Sequence, residues 1–258
     1  NVAVGYAAGN AVTTGIRNTF VGRGAGATTD DGQENASLGY NALGGGNCGD
    51  GNVAVGNNAA QVCTGDANTC IGNNAGNAIS TGDNNLVLGK DAGRSGSPGG
   101  AISSGNNEIA LGDENITEAN IQVSLTVASD QRDKTDFTAL DVGLDFVKAL
   151  NPVTYKWDKR SKYINKEDPT VDLNLVTTDG THKEDWLDVG FKAQEVEALE
   201  KAAGYKIADK TNLTTTLSKD GKQYGMQYEK FVPILVKAIQ ELSAKNDALE
   251  ARIKTLEG

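Results

Sequence analysis

The stretch Ser129-Asp130-Gln131-Arg132-Asp133-Lys134 puts a hydroxyl and an amine five positions apart. A serine hydroxyl becomes a useful nucleophile only when a base takes its proton, and a neutral lysine can serve, as in Ser–Lys hydrolases. Neutrality near pH 7 requires burial of the lysine or a neighbouring cation. Arg132 is placed to supply that cation, or instead to hold a developing oxyanion. An odd separation sets Ser129 and Lys134 on opposite faces of a straight strand. Either the chain turns between them, or the lysine comes from a neighbouring subunit. Taken alone, the same six residues also fit a solvated charged turn between domains.

The hexapeptide separates two different compositions. Twenty-five of the 32 glycines precede Ser129, but only 4 of the 24 lysines and arginines do. The formal charge of −10 divides into −7 before Ser129 and −3 from there on. An acidic chain with so few cations in its first half is a poor ligand for nucleic acid or anionic membranes. No apolar run approaches the roughly 18 residues of a membrane span, and no signal peptide is evident. The chain opens at Asn1 inside a repeat and reads as a fragment of something longer. Cys48, Cys63 and Cys70 lack metal-ligand spacing and read as small, partly buried thiols in a reducing cytoplasm. His182, the single histidine, excludes multi-His metal sites and leaves little room for a Ser–His–Asp triad. No cofactor is expected.

Residues 1–128 are repetitive. The block Asn-x-x-apolar-Gly-x-x-Ala starts at Asn1, Asn18, Asn35, Asn52, Asn68 and Asn85, with a weaker copy ending at Gly112. The aligned glycines Gly5, Gly22, Gly39, Gly56, Gly72, Gly89 and Gly112 are spaced by 17, 17, 17, 16, 17 and 23 residues. A short apolar strand, a glycine free to take positive φ and a small alanine where backbones crowd describe one coil of a β-solenoid. Val4, Val21, Leu38, Val55, Ile71 and Leu88 are expected to stack as an inward ladder. One large apolar side chain and one alanine per coil make a thin core, which favours several chains packing together. The pattern resembles the β-roll heads of trimeric autotransporter adhesins and the shafts of some phage fibres, with a longer period than those adhesins. Neither a phosphate-binding glycine loop nor a Gly-Gly-x-Gly-x-Asp calcium repeat is present. The block asparagines are expected to make turn hydrogen bonds or an inward ladder. The loops Gly26–Gln33 and Gly93–Gly105 are the expected exposed edges, and the places for a host receptor, glycan or protein, to touch the shaft.

At the other end, Val232, Ile239, Asn246 and Ile253 fall at heptad position a, and Leu235, Leu242, Leu249 and Leu256 at d. A two-in-seven stripe predicts a coiled coil over about 232–257, with Asn246 setting register. Between junction and coil, the sequence predicts a helix over Leu140–Leu150 stopped at Asn151-Pro152, then a strand through Val153–Trp157. A strand near Val189 and a helix from about Gln194 follow. Residues 159–186, charged and turn-rich, read as an exposed excursion or hairpin.

SDQRDK, ALNPVTYKWD, VGFKAQEVEAL and Tyr228 leading into the last helix occur in the order seen in intramolecular chaperone domains. From Ser129 onward the chain resembles this auto-processing family, found at the C-termini of phage tail fibres, tailspikes, endosialidases and neck appendages. The resemblance implies a homotrimeric assembly domain, residues 129–258, that sets three fibre chains in register and then cleaves itself off. Its catalytic pair maps onto Ser129 and Lys134, with Asp130 and Arg132 at the other motif positions and the cut at Ser129–Asp130, within one residue. Ser129 attacking its own carbonyl would close a four-membered ring. A cut there needs another hydroxyl, a water or a prior acyl shift. The implied fold is an all-β, trimeric β-roll-like solenoid (1–128) followed by an α+β chaperone ending in a trimeric coiled coil. The implied activity is that of a single-turnover, self-cleaving serine endopeptidase, assembled in a host cytoplasm and carried into the virion. The competing reading is a non-enzymatic trimeric surface adhesin with a retained trimerisation clamp.

Overall fold

A computed structural model describes residues 1–165 and 171–258, so the 166–170 part of the predicted excursion lies outside the described residues. Seven three-residue strands form one parallel sheet in chain order: β1 (Val2–Val4), β2 (Thr19–Val21), β3 (Ala36–Leu38), β4 (Val53–Val55), β5 (Thr69–Ile71), β6 (Leu86–Leu88) and β7 (Ile109–Leu111). Equivalent residues pair coil on coil, as in Val4↔Val21 and Val21↔Leu38. This is the predicted solenoid.

Which strand residue points inward differs from the expectation. The middle residues Phe20, Ser37, Ala54, Cys70, Val87 and Ala110 are buried, and Val4, Leu38, Ile71 and Leu111 are exposed. Alternation along a strand allows a three-residue segment either one inward residue or two, and the interior of these narrow coils holds one. The expected ladder is therefore an outward one. The core fills by compensation. Around the inward ring of Phe20 stand Gly9 and Gly26, where a Cβ would come within 3.0 and 2.5 Å of it. Beside the smaller Ser37 and Ala54, the matching wall positions are Leu43 and Ala60, both fully buried and both left-handed (φ 52° and 45°). A left-handed L-residue costs about 1–2 kcal/mol, which burial of the side chain offsets.

The block asparagines form a buried ladder. Asn35 Oδ1 accepts the Asn52 N–H at 2.8 Å and Asn35 Nδ2 donates to the Gly49 carbonyl at 2.8 Å; Asn52 repeats this with Asn68 N and Gly65 O. Each side chain thus satisfies backbone groups that the tight turn leaves unpaired. Gly22 shows why the aligned glycine is required: φ is +133°, and a Cβ would sit 2.3 Å from the Gly39 carbonyl oxygen. The three cysteines are buried free thiols, Cys70 being one of the inward strand residues.

The compact units do not divide linearly at Ser129. One unit joins residues 1–118 with 157–185 and 217–223; the other comprises 119–156, 186–216 and 224–258. Much of the predicted excursion is therefore packed, with Leu173 and Ser161 buried. The Gly93–Gly105 loop, expected to be an exposed edge, carries buried Arg94, Ser97 and Ile102: Ile102 turns into the solenoid core, Arg94 pairs with Asp91, and the 217–223 segment lies against Ser97 and Ala101. Arg160 ties those two segments together, donating to the carbonyls of Leu173 (2.7 Å) and Lys222 (2.8 Å). In the Gly26–Gln33 loop, Thr28, Asp30 and Asp31 are exposed.

The second unit is α+β. It holds α1 (Leu144–Ala149), β8 (Val153–Tyr155) antiparallel to β9 (Asp188–Gly190), α2 (Ala193–Ala202) and α3 (Phe231–Glu257); β10 (Thr215–Leu217) and β11 (Tyr224–Met226) form a hairpin whose tip belongs to the first unit. Helix α1 starts later than predicted, at Leu144, because Gly143 breaks the run ahead of it. Glu241 of α3 then receives the Leu144 N–H at 2.8 Å, supplying the cap that α1 lacks. Val142, Phe146, Val196, Phe231 and Ile234 make the core. Helix α3 divides its faces: Phe231, Ile234 and Ala238 are buried, whereas Val232, Leu235, Ile239, Leu242, Leu249 and Ile253 of the heptad stripe are exposed.

Candidate active site

The local chain folds SDQRDK into a turn. Asp130 is the N-cap of a 3₁₀ helix, Gln131–Asp133, its Oδ1 accepting the Arg132 N–H at 2.9 Å. The Asp133 N–H closes on the Asp130 carbonyl and the Lys134 N–H on the Gln131 carbonyl, both at 3.2 Å. A 3₁₀ turn shortens the rise to about 2.0 Å per residue, against about 3.3 Å in a strand, which brings Ser129 within reach of the long Lys134 side chain. Lys134 Nζ lies 2.6 Å from Ser129 Oγ, as a donor to the hydroxyl. Of the two arrangements left open by the sequence, the single chain adopts the turn.

Arg132 is held by Asp130, with Nη2 to Oδ2 at 2.6 Å and Nε to Oδ1 at 3.0 Å. The Arg132 side chain, then its backbone N–H, keep the Asp130 carboxyl below the usual range, and Asp130 in turn raises the guanidinium. Arg132 thus answers to Asp130 in the single chain rather than standing ready over a carbonyl. Burial is what lets a lysine surrender its proton, and residues 129–134 are all exposed. Two shallow grooves beside α2, one lined by Ala149, Asn151 and Lys192, the other by Asp141, Gly143 and Glu241, include none of the six.

One neighbouring feature went unread in the sequence. Ile121, Val123, Leu125 and Val127 alternate along a segment outside any helix or strand, bent at Gln122 and Val123, and all four are exposed. Their period of two is the signal of a strand face. Elsewhere in this unit, Glu200 is fully buried with five donors on its carboxylate. No sequence signal marks it, because its partners Leu213, Thr214 and Thr215 lie 13 to 15 positions away, outside its own helix.

No helix among the described residues is long and apolar enough to cross a membrane. No curated protein matches the chain. Residues 129–205 match the model of a peptidase family described as chaperone of endosialidase, and the match begins at Ser129 itself. From Ser129 to Tyr205 the chain is thus an endosialidase-type chaperone domain, carried behind a β-solenoid.

Proposed function

We propose that the chain is the C-terminal part of a phage tail fibre whose chaperone brings three copies into register and then cuts itself from the shaft at Ser129–Asp130. The 2.6 Å approach of Lys134 Nζ to Ser129 Oγ carries this reading. In the reaction, neutral Lys134 takes the proton of the attacking hydroxyl, the new C–O bond forms as the peptide C–N bond breaks, and the leaving nitrogen receives a proton from Lys134. Water then hydrolyses the ester. A cut after Ser129 requires a hydroxyl from another copy or a water at the Ser129 carbonyl. The Ser129 hydroxyl itself reaches the Ala128 carbonyl through a five-membered ring, which would place the cut one residue earlier.

Three exposed apolar surfaces support assembly as the trigger: the outward rows of the solenoid sheet, the alternating 121–127 segment and the heptad stripe of α3. Each is periodic, so a further copy in register matches it along its length. Assembly buries residues beside the exposed Ser129–Lys134 pair and so provides the desolvation the chemistry needs. Removal of the nucleating domain then leaves a shaft that resists unfolding kinetically rather than at equilibrium. Host-receptor contact is assigned to the exposed Thr28, Asp30 and Asp31 of the shaft loop.

Denaturing electrophoresis with intact mass on freshly assembled protein tests the reading. Wild type yields two fragments, the second beginning at Asp130, or at Ser129 for the acyl-shift route. Ser129→Ala and Lys134→Ala each yield one intact chain. Processing of Ser129→Ala would sink the dyad, and an intact wild type would leave a constitutive trimerisation clamp.

A further inference from the structure

The first compact unit is built from both sides of the Ser129–Asp130 bond. Its coils end before the bond, and its segments 157–185 and 217–223 come after it. The two parts meet at the one coil where the glycine spacing widens from about 17 to 23 residues. There Gln223 Nε2 donates to the Ser97 carbonyl at 3.0 Å, and the Asp220 carboxylate accepts the Ala101 N–H at 3.3 Å. Lys219 Nζ stands 2.5 Å from Glu108 Oε1, and Lys159 Nζ donates to the Glu114 carbonyl at 3.0 Å. The backbones abut: a Cβ on Gly96 would lie 2.7 Å from Ser161 Cβ. Ser97, whose carbonyl Gln223 reaches, is only 1% exposed.

Hydrolysis at the junction adds one water across one peptide bond and touches none of these contacts. Most of the acceptors and donors on the shaft side are backbone groups, so dissociation has to rehydrate them, the carbonyl of the buried Ser97 included. We propose that the cut fragment remains seated on the shaft, with segments 157–185 and 217–223 held by the widened coil Gly93–Asn115. Cleavage and release are then separate steps, and the insert is a docking site for the chain's own C-terminal fragment. This rests on the self-cleavage reading, and it turns on residues remote from Ser129 and Lys134.

Size-exclusion chromatography of the processed full-length assembly in native buffer, beside denaturing electrophoresis of the same peak, tests it. Both fragments are expected in one native peak and as two denatured bands. Two native peaks from freshly processed wild type would overturn the proposal. Should no self-processing occur, a sequence-specific protease site inserted between Ser129 and Asp130 makes the cut, and the same readout applies, so failure of cleavage and failure of retention remain distinct. Lys219→Glu combined with Gln223→Ala should leave cleavage intact and speed fragment loss about tenfold or more. Adding Glu108→Lys to Lys219→Glu should slow it again. A loss rate unchanged by the double variant refutes the assignment of the docking surface.

Discussion

Glu200→Gln is the perturbation that tests the chaperone core most sharply. Glu200 is 1% exposed. Its Oε1 accepts Thr214 N (2.7 Å), Thr214 Oγ1 (2.6 Å) and Thr215 N (3.1 Å), and its Oε2 accepts Thr215 Oγ1 (2.7 Å) and Leu213 N (3.2 Å). Burial by itself pushes this carboxyl up. The Thr214 and Thr215 hydroxyls and the Thr214 and Leu213 N–H groups outweigh burial and hold it below the usual range. Glutamine retains one oxygen for the Thr214 side and turns an NH₂ toward Leu213 and Thr215. The Thr215 hydroxyl can rotate to accept, but the Leu213 N–H cannot. One stranded buried donor, plus the change from charged to neutral acceptors, sums to about 3 kcal/mol, a little over two decades in the opening equilibrium. Amide hydrogen exchange in the full chain at pH 7 should therefore quicken about a hundredfold at Leu213, Thr214 and Thr215. The acid dependence supplies a second reading. A carboxyl whose folded value lies below its unfolded value of about 4.5 stabilises above that pH, and the stabilisation disappears as pH falls through the folded value. Wild type should lose this protection in acid, and Glu200→Gln should show no such loss. Equal protection in the two proteins at all three amides, at pH 7 and in acid, refutes the reasoning.

In the shaft, Gly56→Ala forces a Cβ to 2.3 Å from the Gly72 carbonyl oxygen at φ +138°, whereas at Gly51 (φ +69°) the nearest atom is 4.0 Å away. Thermal unfolding should show a loss of about 3 kcal/mol or more for Gly56→Ala and about 1 kcal/mol for Gly51→Ala; equal losses would remove the coil-to-coil contact as the cause. On α3, Ile234→Ala empties a buried site and should cost about 2–5 kcal/mol at any protein concentration. Leu249→Ala, on the exposed stripe, should instead shift the concentration dependence of assembly seen by sedimentation. Burial pushes Cys63 up to about 11 and Cys70 up to about 12, and raises Cys48 as well. Iodoacetamide at pH 8 should therefore leave the native chain unmodified by mass and label all three thiols only in denaturant; rapid native labelling of Cys70 would contradict its place inside the coil.

Much of the fold is written in spacing. The glycine, alanine and asparagine of each block have roles that a strand, a turn and an unpaired backbone impose on any sequence, and these were legible without coordinates. The two-in-seven stripe of α3 was equally plain, because heptad geometry is set by the helix alone. The phase of the strands was not. Leu38 and Leu111 are larger and more apolar than Ser37 and Ala110, and hydrophobicity alone assigns the larger residues to the interior. The narrow cross-section of the coil reverses that choice, and it is a property of six coils together. The docked 157–185 and 217–223 segments were likewise illegible, since their contacts are backbone groups and charges far away in sequence, as between Lys159 and Glu114 or between Gln223 and Ser97.

At the junction, sequence by itself determined the residues: a serine and a lysine five apart, with Asp130 and Arg132 between. Whether they meet was decided by the turn, because Asp130 caps a 3₁₀ helix and returns Lys134 to Ser129. A straight strand of the same residues would hold the two groups on opposite faces. Residue type supplies the chemistry, but proximity depends on the path of the backbone, and that path is fixed by hydrogen bonds that composition does not encode.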